Sequence, residues 1–372
     1  MKTVAFIRST SIFHDSRSQK EIKTLVEAGY HVEILGWDRG GNALEQCKAT
    51  FADVLDHVSF SFFGVRAENG IGAKNIHKLI GWIKWIEKTL KKLEKKIGIF
   101  AVHACDLDTG IVARKFCKKN KVKLVYDIFD YYVDSHFIPS ILKNFVEKME
   151  IKTINYADVT IICTSERKEQ IEKATPKKLI VIHNSPELDE VPRTEEDIDY
   201  CYCGTMSNMR LVSETLEEYR NNDDLKIVFA GYGPHSVKAT SLAQKYEKFY
   251  FEGTVAYSTV LSLESRARVL SAIYEPTKRN HRLCAPNKFY EALALGKPII
   301  VCKGTGIDNI VLQHNIGRVI DYDAKEFYKA LRELILDKEL RREMGIRARK
   351  LYDEKYHWRI MKEILLDAYS EL

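Results

Sequence analysis

The sequence predicts an α/β protein made of two doubly wound domains, each with a parallel sheet. Three observations carry this expectation. Short apolar runs alternate with amphipathic stretches from one end of the 372-residue chain to the other. The runs are apolar throughout rather than at every second position, as strands covered on both faces must be. The alternation breaks once, at SPELDEVPRTEEDID (185–199), which is acidic, holds two prolines, lacks periodicity and reads as a linker.

The elements follow in order. TVAFI (3–7) is a β-rich run, and Ile22, Leu25 and Val26 give helical spacing over 18–28. Gly29 ends that helix, and HVEILGW (31–37) returns to strand. Further strands are expected at 58–63, 99–105, 123–129, 158–165 and 178–184, with helices through 111–117 and 140–155. After the linker come strands at 200–205, 225–231, 249–254, 269–276 and 297–302. Helices are expected at 212–219, 238–247 and 287–295, and the tail from 324 to 372 is almost wholly helical. This places a first domain at 1–185, a linker at 186–199, a second domain at 200–355 and a terminal helix at 356–372, with packing of that helix back onto the first domain as an open option.

Composition excludes several classes. With 45% hydrophobic and 30% charged residues, the chain is neither disordered nor of low complexity. No apolar run approaches the roughly 18 residues of a membrane span. MKTVAFIRSTSIFHDSRSQK turns polar too soon for a signal-peptide core, and the eight cysteines form no C-x-x-C pair. Reduced, packed thiols and a cytoplasmic location are therefore expected. The net charge of +6 is small, and no base-reading motif accompanies it, so nucleic acid is not an expected partner.

The positive charge is concentrated. Lys74, Lys78, Lys84, Lys88, Lys91, Lys92, Lys95 and Lys96 stand against Glu87 and Glu94 alone. Apolar residues recur there at helical spacing, with Trp82 and Trp85 at the apolar–polar border. Such a helix suits the surface of an anionic membrane, with Trp82, Trp85, Lys84, Lys88, Lys91 and Lys92 facing it. It equally suits a domain helix that buries its apolar stripe beneath a solvated lysine face. Both readings stay open.

The segment Cys284-Ala-Pro-Asn-Lys-Phe-Tyr-Glu-Ala-Leu-Ala-Leu-Gly-Lys-Pro298 carries the most chemistry. Pro286 and Asn287 suit a helix start, and Gly296 with Pro298 suits its stop. The free amides of that first turn, with the positive end of the helix dipole, form a phosphate site. Lys288 adds a full charge, and Glu291 lies one turn on, where its oxygens can accept the two hydroxyls of a ribose. An ordinary capped helix with a solvated Lys and Glu is the alternative.

AGYGP (230–234), FEGTV (251–255) and PNKFYEALALGKPIIV (286–301) together resemble the C-terminal half of family 4 glycosyltransferases. The N-terminal half agrees through Asp15-Ser-Arg17, LVEAGYHVEILGW (25–37), HACDLDTG (103–110), VYDIFD (125–130), ADVTIICTSE (157–166) and IHNSPE (182–187). The similarity covers essentially the whole chain in the right order. It implies the GT-B fold, two Rossmann-like domains around a cleft, and retaining, metal-independent transfer from a nucleotide sugar, with UDP favoured. It implies no bound cofactor, and it implies a lipid-linked or polysaccharide acceptor in cell-surface glycan synthesis.

Carried over by position, the resemblance makes Glu291 the ribose-binding glutamate. Pro286, Asn287 and Lys288 become the loop that meets donor sugar and phosphates. Gly204, Gly231 and Gly233 become close-approach positions, and the Val255 backbone meets the base edge. Arg210, with Lys278 or Lys288, would neutralise the leaving diphosphate. Three departures stand out. The first glutamate of the family's pair falls at Leu283, the arginine after Gly204 is Thr205, and the usual histidine is Phe129. Asp130 is then the expected acceptor-facing carboxylate, with Asp127, His136 and His103 as neighbours. These departures leave room for an inverting GT-B transferase, a sugar-nucleotide epimerase or a non-catalytic GT-B subunit.

Overall fold

The computed structural model describes residues 1–67, 76–192, 194–284 and 286–372. Lys74 and Ala285 lie outside the described residues, as does Arg193 in the linker. The chain divides into two compact units, Met1–His183 with Met361–Leu372, and Asn184–Ile360.

The first unit holds seven strands: β1 (Thr3–Arg8), β2 (His31–Trp37), β3 (Val58–Phe63), β4 (Ala101–Cys105), β5 (Lys123–Ile128), β6 (Val159–Ile162) and β7 (Leu179–Val181). They form one parallel sheet in the order β3-β2-β1-β4-β5-β6-β7. The second unit holds β8 (Ile198–Cys203), β9 (Ile227–Ala230), β10 (Phe249–Phe251), β11 (Ala267–Ala272), β12 (Ile299–Cys302) and β13 (Gly317–Ile320), ordered β10-β9-β8-β11-β12-β13 and again parallel. Each order reverses once, between β1 and β4 and between β8 and β11. Ligand crevices of doubly wound sheets lie outside the strand carboxyl ends at that reversal.

The apolar strands are buried because helices cover both sheet faces. Val4, Ala5, Phe6 and Ile7 of β1 are all fully buried, as are Ile299, Ile300, Val301 and Cys302 of β12. The Ser16–Glu27 helix starts where Asp15 accepts the Ser18 amide, and Asp323 and Asp337 cap two later helices in the same way. Elements absent from the sequence expectation include the Ala43–Thr50 helix, the Tyr257–Arg266 helix, the Ile307–His314 helix and the edge strand β13. All eight cysteines are free thiols, and seven of them are buried.

The last residues belong to the first unit. The Tyr369 hydroxyl lies 2.8 Å from His103 Nδ1, and Glu371 pairs with Lys178 at 2.6 Å.

One buried carboxyl makes the stability of this unit pH-dependent. Glu150 is fully buried on the Ser140–Tyr156 helix, where its oxygens accept the Tyr126 hydroxyl at 3.0 Å and the Tyr132 amide at 3.2 Å. Burial outweighs those bonds and pushes its pKa up to about 8 from 4.5. A folded-state pKa above the unfolded value means stability present below pH 4.5 and lost as pH rises towards 8. Glu150→Gln keeps a partner for each neighbour and removes the titration. Its melting temperature is expected to exceed that of the wild type at about pH 8 and to match it near pH 5. Parallel melting curves of the two proteins across that range would refute the assignment.

Candidate active site

In the second unit the sheet delivers two glycine turns to one place. Beyond β8 the chain turns at Gly204 (φ 141°), and beyond β9 it turns at Gly231 and Gly233 (φ 134° and 145°). Side-chain-bearing residues rarely adopt this backbone. Space is excluded as well, since a Cβ on Gly231 would lie 1.9 Å from the Gly204 carbonyl oxygen, and one on Gly233 2.5 Å from that of Met206. The two turns hydrogen-bond backbone to backbone, Gly204 N to Ala230 O at 2.9 Å and Met206 N to Tyr232 O at 2.8 Å. The glycines serve close packing of strand ends.

Two cations stand over this bed. A Cβ on Gly204 would meet Lys288 Nζ at 2.6 Å and Arg210 Nη1 at 4.0 Å. Lys288 Nζ sits 4.5 Å from the centre of the Tyr202 ring, and Arg210 Cζ sits 4.9 Å from that of Tyr274. Tyr202 donates its hydroxyl to the Thr205 carbonyl at 2.7 Å, which holds the ring beneath Lys288. Burial works against both charges, yet Tyr202, Tyr274 and Glu291 around Lys288 outweigh it and hold its pKa above the ordinary lysine value. The same two tyrosines raise Arg210 against the effect of burial. Among the described residues neither cation forms an ion pair with a carboxylate. The site is built for an anion.

Lys288 lies in the first turn of the Asn287–Ala294 helix, whose N-cap is Pro286. That turn presents backbone amides and the positive dipole end beside the two side chains. Asn287 Oδ1 accepts the Asn184 side-chain amide at 2.6 Å. Glu291, one turn further along, is 4% exposed and accepts the Tyr257 hydroxyl.

Glu264 was not an expected site residue. It is 2% exposed, its Oε2 has no hydrogen-bond partner, and burial with the nearby Glu291 carboxylate drives its pKa far above the ordinary value. Burial and the Glu291 carboxylate both favour its neutral form. Glu264 and Tyr257 both lie on the Tyr257–Arg266 helix. The apolar spacing of Val260 and Leu263 was the available sign of that helix.

Other expected residues sit apart from the cation pair. Lys278 is exposed at the start of the Arg279–Arg282 helix, and no contact among the described residues joins it to Lys288. Val255 packs against the core, and Leu283 is buried where the family's first glutamate would fall.

At the β1–β4 reversal of the first unit lies a second charged cluster. Arg8, at the end of β1, bonds Asp15 at 2.8 Å and Asp106 at 2.5 Å, and its guanidinium lies 3.7 Å from the Phe129 ring centre. Arg17, fully buried, bonds Glu21 at 2.9 Å and Asp127 at 2.5 Å, and stacks on the same ring at 4.4 Å. Phe129 thus sits between two guanidinium groups, so fixed positive charge flanks the position where a histidine was expected. Asp106 adopts φ 63° and accepts the amides of Phe129 and Asp130 at 3.0 and 3.2 Å, which fixes the turn after β5. Strain held in this way is common at functional turns.

Of the four expected acid–base candidates there, the structure buries two. Asp127 and His103 are fully buried, burial raising Asp127 to about 6 and lowering His103 to about 4. His103 Nε2 lies 3.5 Å from Asp127 and 3.7 Å from Glu21. His103, Cys105 and Asp127 are the group among the described residues with metal-ligand spacing, all within 4.8 Å. The Arg17 guanidinium already neutralises Asp127 and would repel a dication, so these residues fit a buried ion-pair network better than a metal site. Asp130 remains half-exposed, 3.2 Å from Arg167. His136 is exposed and stacks on Tyr132 at 4.0 Å.

The membrane-facing expectation for the tryptophans is corrected. Trp82 is fully buried, stacked on Trp37 at 5.6 Å and on Trp85 at 5.3 Å, and Trp85 packs against the same core. The Ile76–Ile97 helix spends its apolar stripe on the sheet because β1, β2 and β4 need a cover on that face. Its Lys84, Lys88, Lys91 and Lys92 are exposed.

Comparison with known proteins matches this fold. Residues 184–351 match the family model described as Glycosyl transferases group 1. No curated protein matches the chain at the level of sequence. Its fold is similar over its whole length to sucrose-phosphate synthase from Thermosynechococcus elongatus, with a TM-score of 0.74, 16% identity, and 100% and 99% of the two chains covered. It is similar to the Anabaena protein HepE in complex with UDP, with a TM-score of 0.70, 14% identity and 100% of both chains covered. It is also similar to a variant of S. aureus TarM in complex with Fondaparinux, alpha-GlcNAc-glycerol and UDP, with a TM-score of 0.67, 12% identity, and 99% and 100% covered. The chain therefore has the GT-B fold of these structures, and residues 184–351, within its second unit, match the glycosyl transferases group 1 model.

Proposed function

We propose that the protein is a retaining glycosyltransferase of the family 4 type, which moves a hexosyl or N-acetylhexosaminyl group from a nucleotide diphosphate sugar, UDP in the first place, to a lipid-linked or polysaccharide acceptor in cell-surface glycan synthesis. One observation carries the reading. Lys288 and Arg210 converge, without a carboxylate partner among the described residues, on the glycine turns and on the start of the Asn287–Ala294 helix. UDP is favoured because structures of similar fold were determined with it.

Cleaving the sugar–phosphate bond builds negative charge on the departing diphosphate. Two poised cations and a set of helix amides stabilise that charge more in the transition state than in the ground state. The reading therefore includes no metal cofactor. Glu291 would take the ribose hydroxyls beside the Tyr257 hydroxyl, and Asp130 would face the acceptor. In retention the acceptor attacks from the face the diphosphate leaves, and a donor phosphate oxygen takes its proton. The proposed location is the cytoplasmic side of the membrane, where the protein is peripheral. No helix among the described residues is long and apolar enough to cross a membrane.

Calorimetric titration of UDP, GDP, dTDP and CMP into the wild type and Glu291→Ala tests the donor site. Selective binding of one nucleotide, weakened about ten- to a hundredfold in Glu291→Ala, is expected from the loss of a charge-assisted bidentate contact. Binding of none, with no donor hydrolysis, would leave the non-catalytic subunit in its place.

A further inference from the structure

We propose that the first unit docks on an anionic lipid bilayer through an apolar ridge at residues 137–145, a surface distinct from the tryptophans of the basic helix. The ridge is the most exposed apolar cluster among the described residues. Phe137 is 92% exposed, Ile141 87%, Phe145 63% and Leu142 48%. Phe137, Ile141 and Phe145 recur every four residues, and the latter two lie on one face of the Ser140–Tyr156 helix, with Phe137 just before its start. Side chains of this size normally enter the core, and a contiguous exposed group of them marks a surface that meets something apolar.

Charge identifies the partner. From 136 to 146 there is no carboxylate, while Lys143, Lys148 and Lys152 are exposed on the same helix. Glu147 is paired with Lys173 at 3.0 Å, and Glu150 is buried. The Ser140–Tyr156 helix packs beside the Leu107–Asn120 helix, which packs beside the Ile76–Ile97 helix. Exposed Lys115, Lys118 and Lys119 on the second, and Lys84, Lys88, Lys91 and Lys92 on the third, extend the positive surface. Apolar side chains with a lysine rim fit an interfacial position on anionic lipid, the apolar groups entering the acyl boundary and the ammonium groups meeting headgroups. A second copy of the chain fits poorly. A two-fold contact would set this lysine-rimmed, carboxylate-free patch against an identical one.

The inference rests on the lipid-linked acceptor of the proposed function and deepens it, and its test separates the two. The full chain is sedimented with vesicles of phosphatidylcholine alone and of phosphatidylcholine mixed with phosphatidylglycerol. Binding to the mixed vesicles that weakens with salt is expected, and it should fall about tenfold in the triple variant Phe137→Ser, Ile141→Ser, Phe145→Ser. All three side chains are solvent-exposed, so UDP binding by the variant, measured in parallel, should be unchanged. A variant that sediments like the wild type overturns the docking surface. So does a wild type that elutes from gel filtration as a dimer while the triple variant elutes as a monomer, since the ridge is then a protein interface. Vesicle binding without nucleotide binding removes the transferase reading and leaves the docking surface standing. Nucleotide binding without vesicle binding does the reverse.

Discussion

Lys288→Met is expected to lower the rate of sugar transfer by roughly 10²–10³-fold, the usual effect of removing one preorganised group from a developing oxyanion. Methionine keeps the length and apolar stem of lysine, so the helix start and its amides stay in place. Lys288 has no ion pair to lose among the described residues, and its charge is partly desolvated. The loss of the contact with Tyr202, about 1 kcal/mol, and the relief of burying a charge oppose one another. The melting temperature should therefore hardly change while turnover collapses. Arg210→Met should act in the same direction, and the double variant should lose less than the product of the two, because both groups neutralise the same anion. Rates of donor hydrolysis and of transfer, measured beside melting curves, decide the matter. An active Lys288→Met variant would remove the lysine from the machinery.

Gly231→Ala is expected to cost more than about 3 kcal/mol of stability and to abolish nucleotide binding. Two penalties coincide at this position. The backbone lies at φ 134°, and the new methyl would have to sit 1.9 Å from the Gly204 carbonyl oxygen. Neither glycine turn can yield without parting the hydrogen bonds between the ends of β8 and β9, and those turns carry the bed beneath Lys288. Gly253 provides the comparison. It has φ 64° and open space, with nothing within 4 Å of where a Cβ would stand, so Gly253→Ala should cost only about 1 kcal/mol. Chemical denaturation of the two variants would show the contrast, and equal losses would mean that contact at Gly231 plays no part.

Much of this architecture was legible in the order of residues. Uninterrupted apolar runs such as VTIIC, alternating with amphipathic stretches, require strands covered on both sides, and that requirement leads to doubly wound sheets. The helix start at Pro286-Asn287-Lys288 was legible for a similar reason, since N-caps and dipoles are local. Glu291 followed from it by one turn of helix. Local rules act over about four residues or fewer, and sequence shows them directly.

Burial and convergence are not local. Trp82 and Trp85 have the same pattern whether a helix rests on lipid or on a sheet, and only the uncovered face of β1, β2 and β4 decided that Trp82 lies in the core. The aromatic pairing of Lys288 with Tyr202 and of Arg210 with Tyr274 joins residues 86 and 64 positions apart, through strand order alone. Glu264 became part of the site because a helix without conspicuous caps places it beside Glu291. Asp106 and Arg8 meet at a sheet reversal that no spacing announces. Periodicity thus settled which segments are strands and helices, because that choice depends on neighbours in the chain. The tertiary structure settled which charges stand unpaired and which apolar groups face water, because those depend on neighbours in space.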